Sequence, residues 1–146
     1  MPTFGEWLYT FDRDATVAAY ARAPHGDAAR CGCTYCMNFI AVRDVALPED
    51  FRHFLQELGI DPKKEGEVYH DGRKEQGAHF YGGWYHFVGS LETTGDFAPV
   101  RFSGGLIAYM CRSYAPNLPA FDGLPLVQLE FRAENVPWVL VEIEPD

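Results

Sequence analysis

Leu126 to Glu144 reads L-V-Q-L-E-F-R-A-E-N-V-P-W-V-L-V-E-I-E. In its first half Val127, Leu129, Phe131 and Ala133 alternate with Gln128, Glu130 and Arg132. In its second half Val139, Val141 and Ile143 alternate with Leu140, Glu142 and Glu144. A two-residue period puts successive side chains on opposite faces of a strand, one buried and one solvated. The short Glu134-Asn135 link between the halves predicts an antiparallel hairpin. Its apolar set faces inward, and its acidic positions face solvent or a partner.

Strand-like stretches continue upstream. Val100 to Cys111 reads as a strand interrupted at Gly104-Gly105, where a bulge is expected. Phe80 to Leu91 reads as another, with a glycine break at Gly82-Gly83. Lys63 to Lys74 mixes both charge signs and reads as a solvated excursion, with Asp71-Gly72 as a turn between two short runs.

The first sixty residues have a different period. Pro48-Glu49-Asp50 suits a helix start, and Phe51, Phe54, Leu55 and Leu58 then fall at i, i+3, i+4 and i+7. Gly59 is placed for a left-handed cap, and Asp61-Pro62 prevents continuation. A second helix is predicted from Thr34, as N-cap, through Tyr35 to Val42 or Arg43. An alanine-rich one runs from Phe11 to about Ala23, capped by Thr10 or Asp12 and stopped by Pro24. Its expected apolar face is Val17, Tyr20 and Ala21.

Helices first and strands afterwards predict an α+β fold: N-terminal helices packed on one face of a mostly antiparallel sheet of four to six strands. The chain has 146 residues, an ordinary size for one domain. The expectation is a single domain, 1–146, with its helical part at about 10–60 and its sheet part at about 66–146.

Charge narrows the partner. Twelve Lys and Arg face 21 Asp and Glu, for a net charge of −9. That argues against nucleic acid, whose phosphates need a basic face. No apolar run approaches the roughly 20 residues of a membrane span, and the first ten residues lack the pattern of a secretory signal. A cytoplasmic protein is expected.

Cys31-Gly32-Cys33-Thr34-Tyr35-Cys36 gathers three thiols in six residues at the start of a predicted helix. Such crowding is not the spread disulfide framework of a small secreted domain, and it suits a reducing compartment. Three readings are open. The thiols hold a metal, with zinc favouring four N or S ligands in a tetrahedron. Or Cys36, in the first helical turn, is a reactive thiolate. Or all three are small buried apolar groups. A fourth metal ligand would come from His25, His53, His70, His79, His86 or Cys111.

His79 to Phe87, H-F-Y-G-G-W-Y-H-F, is the other dense stretch. It reads as a central strand filling the core with rings. Its functional reading is a pocket wall in which His79, Tyr81, Trp84 and His86 are the polar or stacking groups. There is no P-loop, no nucleophile elbow, no H-E-x-x-H helix and no dinucleotide fingerprint. The function expected from the residues is a non-catalytic binding or interaction domain, with a structural zinc at Cys31, Cys33 and Cys36. Its partner would be a protein or a small molecule. The alternative is an enzyme with a small aromatic pocket using His79, His86 or a reactive Cys36.

Overall fold

A computed structural model describes residues 1–146. The elements in chain order are β1 (Thr3–Phe4), β2 (Trp7–Phe11), α1 (Arg13–Arg22), α2 (Asp27–Cys31), α3 (Thr34–Ala46), α4 (Glu49–Leu58), β3 (Glu67–Glu75), β4 (Ala78–Leu91), β5 (Val100–Arg101), β6 (Ile107–Arg112) and β7 (Leu126–Val136). The fold is α+β, with the helices in the N-terminal half.

All seven strands join one antiparallel sheet in the order β1-β2-β4-β7-β6-β5. β3 pairs with the first half of β4, and β2 pairs with its end at Gly89 to Leu91. Both lie along the edge of β4 opposite β7. The sheet exceeds the expected four to six strands because residues 3–11 form a hairpin instead of leading straight into a helix.

The helices form where local chemistry places them. α1 starts at Asp12, whose carboxylate accepts the Ala15 N–H at 3.0 Å. α4 buries Phe51, Leu55 and Leu58 and ends at Gly59, which takes φ 87°. The Ile60 N–H then closes back on the Leu55 carbonyl at 2.9 Å. α3 runs on to Ala46, beyond the expected end, and stops before Leu47-Pro48.

One aromatic core joins the two layers. Tyr85 and Phe131 from the sheet lie 5.7 Å apart between ring centroids, and Phe39 of α3 and Phe51 of α4 lie 6.3 and 5.9 Å from Phe131.

Several expectations are corrected. The terminal hairpin does not exist: β7 continues through Glu134-Asn135 to Val136 and pairs with β4 and β6 on its two sides. Residues 137–146 form no strand, and Val139, Val141 and Ile143 are exposed. Pro137 lacks the N–H that would continue the ladder. The tail is held instead by the Val139 N–H on Asn38 Oδ1 at 2.9 Å and by Glu144 on the β3–β4 turn.

Glu130 does not face solvent. It is buried with Gln128, because β7 is central and residues 113–118 cross its second face. The Tyr114 hydroxyl donates to Glu130 at 2.6 Å, and Gln128 Oε1 accepts the Ala115 N–H at 3.1 Å. The buried face of α1 is Thr16, Ala19 and Tyr20, while Val17 and Ala21 are exposed. Asp71-Gly72 is a bulge within β3, not a turn; the tight turn is Gln76-Gly77, with Glu75 opposite Ala78.

Candidate metal centre

The cysteines are brought together by a helix end meeting a helix start. α2 closes at Cys31, and Gly32 adopts φ 67° as its left-handed cap. A Cβ at Gly32 would meet nothing, so the requirement for glycine is conformational. Cys33 is the N-cap of α3, and its sulfur accepts the Cys36 backbone N–H at 3.4 Å. The three sulfurs all lie within 4.8 Å of one another, an arrangement able to hold a metal ion. Thiolates on a tetrahedral zinc stand about 3.8 Å apart, from a Zn–S bond of about 2.3 Å. A small contraction of the loop reaches that spacing.

Cys31 and Cys33 are exposed and Cys36 is buried. Burial raises the Cys33 thiol, but the Cys36 N–H and the neighbouring thiols outweigh it and hold Cys33 below the ordinary value. Burial, together with donation to Cys33, pushes Cys36 up. Between the two, Cys33 is the stronger thiolate.

The loop is seated from behind by a buried ion pair. Glu65, fully buried, meets Arg43 of α3 at 3.2 Å and accepts the Ala28 N–H of α2 at 3.0 Å. This one carboxylate therefore fixes α2 against α3. Burial raises its pKa, with Arg43 opposing.

The sulfurs open onto a cleft of about 570 Å³ whose other wall is β3, with Val68, Tyr69 and His70. Tyr35, from between Cys33 and Cys36, stacks on His70 at 4.6 Å and 20°. His70 Nε2 lies 2.8 Å from His79 Nδ1, and His79 Nε2 lies 2.7 Å from Glu144 Oε1. The Gly77 N–H first, then His79, hold the Glu144 carboxyl below its ordinary range. Burial, and then the neighbouring His79, push His70 down.

The four pocket candidates do not share one pocket. Tyr81 borders the cysteine cleft, and its hydroxyl donates to the Tyr35 carbonyl at 2.8 Å. His79 is fully buried behind His70. Trp84 and His86 lie on the opposite face of β4. There Trp84 donates to the Pro116 carbonyl at 3.0 Å, and His86 meets Gln128 at 3.3 Å. Gly82 and Gly83 admit neighbouring side chains and backbone: a Cβ at Gly82 would strike the Tyr69 ring, and one at Gly83 the Phe131 ring and the Glu67 carbonyl. Glu144 and Tyr35, both part of the cleft's surroundings, carry no motif that would single them out.

Comparison with protein-family models, with curated proteins and with solved structures finds no match to this chain. No helix is long and apolar enough to cross a membrane.

Proposed function

We propose that this chain is a zinc-binding, non-catalytic interaction domain whose metal is held by Cys31, Cys33 and Cys36. One observation carries the reading: three convergent sulfurs within 4.8 Å at a helix junction. Soft thiolates favour zinc over harder divalent ions. Cys31 is exposed and Cys33 is not fully buried, so core packing does not account for all three thiols. Binding would stabilise the fold directly, since the unfolded chain holds no preformed site.

The acidic surface, from a net charge of −9, suits a basic protein partner met by electrostatic steering. Three thiols crowded into six residues suit a reducing compartment such as the cytoplasm. Metal analysis of protein purified under reducing conditions tests the zinc reading. About one zinc per chain is expected, falling strongly in Cys33→Ser. Metal-free wild type that takes up no zinc on titration would overturn it.

A second reading, thiol chemistry in the cleft, is favoured by the lowered Cys33 thiol at the N-terminus of α3. Fast alkylation of Cys33 that added zinc does not suppress would support it over the metal.

A further inference from the structure

We propose that His70 is the fourth protein ligand of the cysteine centre, through Nδ1, and that His79 and Glu144 are positioning residues that hold its ring in the ligand form. The proposal rests on the metal reading above and completes it.

Asp27 and Glu67 also line the cleft, Asp27 paired with Arg30, but thiolate-rich zinc sites are completed by nitrogen or sulfur, and the other histidine and cysteine donors are elsewhere. His86 and Cys111 lie on the far side of the sheet, engaged with Gln128 and Glu130. His53 is exposed on α4 beside Glu49. His25 turns its Nδ1 to the Gly26 carbonyl. His79 has both nitrogens occupied, by His70 and by Glu144. His70 alone among these lines the cleft with the three cysteines.

Hydrogen-bond chemistry then fixes its tautomer. An ionised Glu144 can only accept, so His79 Nε2 must donate to it. With His79 as a neutral imidazole its Nδ1 accepts, and His70 Nε2 carries the proton that joins them; the Gly72 N–H directed at His70 Nδ1 agrees with that tautomer. The remaining nitrogen of His70, Nδ1, keeps its lone pair. Its one contact is the Gly72 N–H at 3.4 Å, the long end of a hydrogen bond. A ring whose second nitrogen donates into a histidine–carboxylate chain has the outer-shell arrangement typical of metal-bound imidazole.

Local backbone supports the aim of the ring. The β3 bulge between His70 and Arg73, with Gly72 at φ 98°, interrupts the regular pleat next to His70. Tyr35 stacks on the same ring from inside the cysteine loop. His70 stands outside the 4.8 Å sulfur cluster. Ligation would need the loop of Cys31 and Cys33 to close across the shared cleft toward β3. The product is a closed site of three thiolates and one imidazole, the structural type, which ties the helical layer to the sheet.

Cobalt(II) is the probe. Reduced wild-type protein, His70→Ala and a His53→Ala control are titrated and their spectra followed. Wild type and His53→Ala should bind one equivalent with thiolate-to-cobalt charge-transfer bands and tetrahedral d–d bands. His70→Ala should keep the charge-transfer bands, shift the d–d bands and lose more than about tenfold in affinity. A His70→Ala titration identical to wild type would remove His70 while leaving the cysteine site standing. Absence of charge-transfer bands in wild type would remove both. If His70→Ala does not fold, NMR of the imidazole nitrogens in wild type decides. Zinc should displace the Nδ1 resonance of His70, and an unmoved resonance overturns the assignment.

Discussion

Phe131 lies directly across from Gly83 in the β4–β7 register, and its ring fills the space a Cβ on Gly83 would take. The pair explains a glycine in the middle of a buried strand. It also places Phe131 at the meeting point of α3, α4 and the sheet.

Phe131→Ala should cost about 3–5 kcal/mol, because it empties a site between three packed rings. Val141→Ala, at a fully exposed position, should stay under about 0.5 kcal/mol. Denaturant melts compare the two. Similar costs would contradict both the central placement of β7 and the absence of a terminal hairpin.

Gly83→Ala should destabilise by about 1–3 kcal/mol, since the new methyl meets the Phe131 ring and the Glu67 carbonyl. Gly32→Ala differs in kind. No atom is near its Cβ, so its smaller cost comes from the left-handed backbone alone. Thermal melts that rank Gly32→Ala as the worse variant would contradict the close approach at Gly83.

Glu130→Ala should cost about 1–3 kcal/mol by leaving the buried Gln128 amide without its acceptor, whereas the exposed Tyr114 hydroxyl can turn to water. Its alternation with apolar neighbours is that of a surface residue. A measured change below about 0.5 kcal/mol would restore that reading.

Legibility follows the range of the forces. α4 was visible because its caps, its i, i+3, i+4 pattern and its stop signal lie within fifteen residues. The cysteine cluster was visible for the same reason. The face of β7 was not, because the groups that satisfy Gln128 and Glu130 come from Tyr114 and Ala115, in a loop with no period of its own. Val139 to Ile143 carries a strand pattern, but Pro137 and the anchors at Asn38 and the β3–β4 turn hold it off the sheet. The Glu144–His79–His70 chain needs the β3–β4 register and the path of the tail, and neither is written in local spacing.

Acid should weaken the fold through His86. Burial pushes this imidazole down to about 4 from an ordinary 6.5. The unfolded chain takes up a proton as pH falls through 6.5, while the folded chain resists until about 4. The contribution is therefore complete above 6.5 and is lost toward 4, on the order of 3 kcal/mol. His86→Gln should flatten that part of the stability-versus-pH curve. An unchanged slope between wild type and variant would show that His86 is not the group responsible.

A zinc held by Cys31, Cys33 and Cys36 would brace the junction of α2 and α3. The most direct test is the melting temperature of wild type and Cys33→Ser, each with measured zinc content, before and after a strong chelator. Wild type should carry about one zinc per chain and melt lower once stripped, recovering when zinc is restored. Cys33→Ser should melt near the stripped wild type and ignore the chelator. Zinc-free wild type whose melting temperature responds to neither chelator nor added zinc would contradict the account.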